Sequence, residues 1–263
     1  MHLLLAALLL FPPESYPVVD DASRVLTQRR LSSFQQFHAN LSRQHPQAQT
    51  TEGSGRDVVR GFREYVFGFR VTVPTADHPE SGVLYPYRVT LITEGDKIIY
   101  YVLAAQRNKR VADGWQPYHE PVKQYQDEAA FARLTSAYRG TFGVAPDLAA
   151  LFDRTATYGA GCSLSGSGPR ERRTVRELVA RRDTATLLRD WLRSATAEKQ
   201  VYGVEGFYQL RQQGLRLTPG QLRLILFIKR KRGRINTCSG CSYGSDEMST
   251  ATRAFAFPPQ PGR

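Results

Sequence analysis

Three cysteines carry the spacing closest to chemistry: Cys162 alone, and Cys238-Ser239-Gly240-Cys241 as a C-x-x-C pair. Such a pair can be a redox dithiol, half of a zinc site or a local disulfide. A redox dithiol sits at a helix N-terminus, where the helix dipole lowers a thiol pKa. Here the pair follows a basic helical stretch and runs into Ser242-Tyr243-Gly244-Ser245-Asp246, which starts no helix. Zinc needs four nitrogen or sulfur ligands; only three cysteines exist and no His follows Cys162. The expectation is therefore structural: one disulfide from Cys162 to Cys238 or Cys241, one thiol left over, and neither metal nor cofactor. Three unlinked thiols are the competing reading if the chain stays in a reducing compartment.

Hydrolase and nucleotide signatures are absent. Gly161-Cys162-Ser163-Leu164-Ser165 is not G-x-S-x-G, because Ser165 stands at the final glycine position. His119-Glu120 runs into Pro121 with no second His four residues after the first. No P-loop and no G-x-G-x-x-G occurs. No catalytic residue is assigned.

Two further groups are candidates for binding. Trp115, Tyr118, His119 and Tyr125 could stack on a sugar or another flat ligand; the competing reading is a loop pinned down by its own large side chains. Arg170, Arg172 and Arg173 form one basic cluster, and Lys229, Arg230, Lys231, Arg232 and Arg234 a second. In antiparallel helical pairs the two clusters fall at the same end and would converge on a polyanion. The formal charge is +12, with 17 Lys+Arg against 16 Asp+Glu in residues 1–160 and 19 against 8 in 161–263. Such a half suits nucleic acid, an anionic envelope polymer or lipid headgroups. Because 30 of the 36 cations are Arg, genomic base composition is the competing cause.

Positioning these residues requires elements, and the pattern supplies them. Leu3–Phe11 is a short apolar run, too short for a span of about 20 residues but of signal-peptide length. Residues 1–15 are read as a leader and the chain as exported, secreted or periplasmic. Residues 16–157 are read as an α+β domain. Asp20–Arg43 is one helix carrying Phe34, Phe37, His38 and Leu41 on its apolar face, and Gln47–Gly55 is a loop. Tyr65, Phe67, Phe69, Val71 and Val73 alternate as a half-buried strand. Val83–Thr93 and Lys97–Ala105 form an antiparallel hairpin around Glu94-Gly95-Asp96, and Arg107–Gln126 is irregular. A helix over Glu128–Arg139 ends at Gly140, and a short one covers Pro146–Phe152. Residues 158–169 are a Gly/Ser-rich linker.

Residues 170–247 are read as helical, with the C-x-x-C loop at the end. Asp183 caps the second helix, Gly214-Leu215 stops the third, and Thr218-Pro219-Gly220-Gln221 opens the fourth as a capping box. Gly203 and Gly206 inside the third helix imply a close crossing. Residues 248–263 are a frayed tail. The fold class is thus α+β: an N-terminal helix on an antiparallel sheet, followed by an all-α part.

Residues 171–232 resemble two HEAT-like helical hairpins. The wider pattern is Tyr158-Gly-Ala-Gly-Cys162, Tyr202-Gly203 with Gly206-Phe207-Tyr208, and Cys238-Ser-Gly-Cys241. It is similar to a group of exported bacterial proteins of unknown function, and the similarity implies no catalytic residues. The function expected is a non-enzymatic envelope protein that binds or scaffolds through its basic helical surface, to an anionic polymer, lipid headgroups or a protein partner. The alternatives are an enzyme or small-ligand carrier with a pocket in the α+β domain, and a sequence-independent nucleic-acid binder if the chain is not exported.

Overall fold

The structure, a computed structural model, describes residues 16–74, 82–112, 114–162 and 168–258. The expected leader at 1–15, residues 163–167 of the expected linker and the last five residues lie outside the described residues. The chain divides into two compact units: Met1–Gly53 with Tyr65–Glu128, and Ser54–Glu64 with Ala129–Arg263.

The first unit begins with helices α1 (Pro17–Thr27) and α2 (Leu31–Gln44). They are two helices where one was expected. Arg29 takes φ 56°, a left-handed turn that a right-handed helix cannot continue. Arg30 then bridges to Lys97. The Asp96 carboxylate caps α2, accepting from the Ser32 amide at 2.8 Å, the Ser32 hydroxyl at 3.0 Å and Arg30 Nε at 3.1 Å. These bonds, the Ser32 amide foremost, hold the Asp96 carboxyl below its ordinary pKa. The turn Glu94-Gly95-Asp96 forms as expected, with Gly95 at φ 62°, and doubles as the helix cap.

The strands are β1 (Ala48–Val59), β2 (Phe62–Val73), β3 (Val83–Glu94), β4 (Lys97–Val111) and β5 (Gly114–Gln126), an antiparallel sheet in that order. Alternation in β2 sends Tyr65, Phe67, Phe69 and Val71 into a core shared with α2. There Phe34 meets Phe67 edge-on at 5.2 Å and Phe69 stacks on Tyr87 at 5.3 Å. His38 packs on Phe67 at 5.0 Å, bonds the Gly68 carbonyl at 3.0 Å and has its pKa lowered by burial.

Two stretches expected to lack regular structure are strands: Gln47–Gly55 falls mostly in β1, and Arg107–Gln126 in the β4–β5 hairpin. β1 and β5 are the sheet's edges, and β5 exposes its first nine residues without interruption. A strand wet on both faces shows no apolar alternation, so the sequence does not mark it.

In the second unit α7 (Ala197–Gln212) is the central helix, with 11 of its 16 residues buried. Around it stand α3 (Glu128–Phe142), α4 (Leu148–Phe152), α5 (Arg170–Ala180), α6 (Thr184–Thr186) running into a π-helical turn at Leu187–Leu192, and α8 (Pro219–Lys229). The close crossing expected at the glycines is present: a Cβ on Gly203 would stand 2.9 Å from the Leu192 backbone nitrogen. Asp183 accepts from the Thr186 amide, and Thr218 and Gln221 close the capping box. Gly214, at φ 87°, stops α7 with Leu215 bonded back to Leu210. Helix α3 runs past Gly140 and turns at Gly143, φ 75°.

The C-terminal part is not all-α, and the expected pair of HEAT-like hairpins is overturned. Strands β6 (Tyr158–Cys162), β7 (Arg234–Gly240) and β8 (Ser242–Glu247) form a second sheet in that order, β6 parallel and β8 antiparallel to β7. Where a second full helix was expected stand a three-residue turn and the π turn. Tyr158–Cys162, expected as part of the linker, is a strand because it pairs with Thr237, Cys238 and Gly240 far downstream, a pairing that no local pattern announces. The tail does not fray as far as Pro258. After α9 (Met248–Ala251), Phe255 and Phe257 meet the Tyr208 ring at 5.4 and 6.0 Å, and Arg211 donates to the Pro258 carbonyl. Among the described residues no helix is long and apolar enough to cross a membrane.

Candidate functional site

The parallel pair β6–β7 sets Gly159 opposite Cys238 and Cys162 opposite Gly240. Cys162 and Cys238 are joined as a disulfide with Cα atoms 5.5 Å apart. A Cβ on Gly159 would collide with the Cys238 carbonyl and Sγ, so glycine is required at that position. Cys241, the other pairing candidate, is an exposed free thiol in the β7–β8 turn. Among the described residues no group of three metal-binding side chains assembles.

Beside the disulfide lies the first correction to the basic surface. Arg172 is buried, its two terminal nitrogens donating to Glu205 at 2.7 and 3.0 Å and its Nε to the Gly159 carbonyl. The Tyr158 and Tyr202 rings flank the guanidinium at 5.5 and 5.4 Å. Burial, the largest single influence, would lower the Arg172 pKa, but the Glu205 charge and hydrogen bonds together with Tyr158 and Tyr202 outweigh it and the net shift is upward. Burial, then the Glu205 charge, pushes the Tyr158 phenol up. A guanidinium so enclosed is unavailable to a polyanion.

Lys231 is the second correction. It is buried, with Nζ donating to Gln200 Oε1 at 2.9 Å. Burial and then the Arg56 charge push its ammonium pKa down to about 8. Arg56, also buried, pairs with Glu64 and with both Glu198 oxygens at 3.1 Å, and donates to the Leu151 carbonyl at 3.2 Å. Glu198 further accepts the Asn236 amide at 3.0 Å, tying α7 to β7. The sequence reading missed these acids. The signal was Glu198, Tyr202 and Glu205 at i, i+4 and i+7 on one face of an otherwise apolar helix.

The remaining basic candidates divide. Half-buried Lys229 donates to the Thr252 and Phe255 carbonyls and pins the tail. Arg232 pairs with Asp57 at 3.2 Å while staying exposed, and Arg234 donates to Ser245 Oγ at 2.8 Å. Arg170, Arg173 and Arg230 are exposed and pair with no carboxylate among the described residues.

The aromatic candidates do not form one platform. They lie on β5, where Trp115 pairs with Arg110, Tyr118 with Arg107, His119 with Gln106 and Tyr125 with Tyr101. Alternation, with the bulge opposite Leu103/Ala104, puts Trp115 and His119 on one face and Tyr118 and Tyr125 on the other. Trp115 is 72% exposed. Tyr125 stacks on Tyr101 at 5.7 Å beneath the Arg29 guanidinium at 4.4 Å, a packing role. Although His119 is exposed, partial desolvation of its ring, then the Arg88 charge, lowers its pKa.

No protein-family model, curated protein or solved structure matches the chain.

Proposed function

We propose that the chain is an exported, non-enzymatic binding protein whose second unit holds an anionic polymer of the cell envelope through exposed arginines. One observation carries this reading. The unit Ser54–Glu64 with Ala129–Arg263 contains 25 Lys+Arg against 12 Asp+Glu, a net +13, whereas the other unit has 11 against 12, a net −1. The excess thus belongs to one folded body, as a charge-steered binding surface requires. With Arg172 and Lys231 internal, the contact falls to Arg170, Arg173 and Arg230 with their exposed neighbours. The disulfide suits an oxidising compartment and supports export.

The test titrates the full chain with inorganic polyphosphate, phosphatidylglycerol vesicles and duplex DNA at low and physiological salt. Polyphosphate should bind with an affinity that falls steeply as salt rises. The triple variant Arg170→Glu, Arg173→Glu, Arg230→Glu should weaken it. Absence of binding at low salt, or indifference to the triple reversal, rejects the reading. Tighter binding to DNA than to polyphosphate would favour nucleic acid instead.

A further inference from the structure

A cleft of about 650 Å³ opens in the second unit between the end of α3, the π turn and α8. None of the residues read from the sequence as candidates lines it. Its floor is apolar: Phe142, Phe227, Leu188 and Leu224, with the two phenyl rings edge-on at 5.8 Å. Its rim carries Arg139, Arg193 and Arg223, and no Asp or Glu lines it. Arg139 and Arg223 are exposed, and none of the three pairs with a carboxylate among the described residues.

Arg193 is the most telling of the three. Its guanidinium lies against Gly143, close enough that a Cβ there would stand 3.6 Å from Cζ. Its Nε is buried and has no hydrogen-bond partner. The residue as a whole is only half-buried, so its guanidinium is partly desolvated where it borders the cleft, and an anion there meets it more strongly than it would a fully exposed arginine. Three cations exceed what one carboxylate can balance. A phosphate monoester carries about −1.5 to −2 at neutral pH and three acceptor oxygens, which suits a set of guanidinium donors. Beside Thr141, Thr218 and Gln221, the four apolar side chains offer packing surface to an apolar body carried by the phosphate. The volume is that of a small-molecule site of roughly 300–1,000 Å³.

We infer that this cleft binds an amphiphilic phosphate monoester, its headgroup among Arg139, Arg193 and Arg223 and its apolar body against Phe142, Phe227, Leu188 and Leu224. The site is separate from the exposed arginines of the polymer-binding reading, and each can fail without the other.

Calorimetric titration of the full chain with n-octyl phosphate, n-octanol and inorganic phosphate tests both halves of the site. Octyl phosphate should bind at least about tenfold more tightly than either fragment of itself. Arg223→Gln and Arg139→Gln, at exposed positions that do not threaten folding, should each weaken it by about tenfold or more. Arg193→Gln should do so most strongly, and Arg193→Lys should restore only part. The triple Arg170→Glu, Arg173→Glu, Arg230→Glu should leave it unchanged. Cosedimentation with phosphatidic acid vesicles that Arg223→Gln abolishes would mark a membrane lipid as the source; octyl phosphate binding without cosedimentation would mark a free ester. Equal affinity for octyl and inorganic phosphate, no binding of octyl phosphate, or arginine variants within twofold of the parent would overturn the inference.

Discussion

Arg172 and Arg173 are neighbours in sequence, yet Arg173 faces water while Arg172 is enclosed by Glu205, Tyr158 and Tyr202. Nothing in the local run separates them; the acid that claims Arg172 lies 33 residues away. The cysteines were more legible, because their number and spacing left few pairings. Cys162–Cys238 closes a separation of 76 residues. Replacing Cys162 by Ser should cost about 2–5 kcal/mol, while Cys241→Ser, at an exposed free thiol, should leave the melting temperature unchanged. Native protein should take up one equivalent of iodoacetamide; three would dissolve the disulfide. Lys231 gives a pH signature. Its native pKa is about 8, below the ordinary lysine value of 10.5. Between those values the unfolded chain holds a proton that the native state does not. Stability therefore rises with pH across that window, and the penalty is fully present below about pH 8. Urea unfolding of the parent relative to Lys231→Met, both carrying Cys241→Ser, should shift in the parent's favour by up to about 1.4 kcal/mol per pH unit. A constant difference from pH 7.5 to 10 would remove the buried ammonium from the account.

Among the elements, those declared by short-range chemistry were readable: the Thr218–Gln221 capping box, the Asp183 cap, the Gly214 stop and the Gly95 turn. Those that depend on a distant partner were not. β6 and β7 are rich in glycine and small polar residues and become strands only by pairing, β6 with β7 and β7 also with β8. The single helix expected over Asp20–Arg43 breaks because the β3–β4 turn supplies a cap at Ser32 that no residue of the helix announces. Helical glycines separate local propensity from packing. At Gly140 in α3 a Cβ would meet nothing within 4 Å, so Gly140→Ala should stabilise by about 0.8–1 kcal/mol through propensity alone. At Gly203 the added carbon would press on the Leu192 backbone nitrogen, 2.9 Å away, and a backbone cannot yield as a side chain does. Gly203→Ala should therefore destabilise by about 1–3 kcal/mol despite the same propensity gain. Gly206→Ala meets the Leu187 and Val175 methyls at 3.0 and 3.2 Å and should fall between the two. Chemical denaturation of the three variants checks the order; a stabilising Gly203→Ala would mean that α7 and the π turn are not held in close contact.

On the scale of the molecule, charge is the organising quantity. The sequence shows the excess after residue 160; folding keeps all of it in one body, where residues 54–64 and 129–160 add a little more and the second unit reaches net +13. Part of that charge is internal and compensated, as in Arg56 with Glu64 and Glu198. Most of the rest is surface arginine repelling surface arginine, which opposes the compact state. Salt that screens this repulsion should stabilise the protein, because the Debye length falls from about 20–30 Å near 0.01–0.02 M to below 10 Å above 0.15 M. Raising sodium chloride across that range should lift the melting temperature by about 2–4 °C, corresponding to roughly 1 kcal/mol for a chain of this size. The triple variant Arg170→Glu, Arg173→Glu, Arg230→Glu lowers the net charge by six and should shrink that rise. Polyphosphate at low salt should stabilise the parent more than chloride at equal ionic strength, because a bound polyanion favours the native surface that binds it by mass action. That advantage should disappear at high salt together with the binding. A melting temperature that is flat or falls with sodium chloride would show that the arginines are already neutralised within the fold, leaving no unbalanced field for an anionic partner to answer.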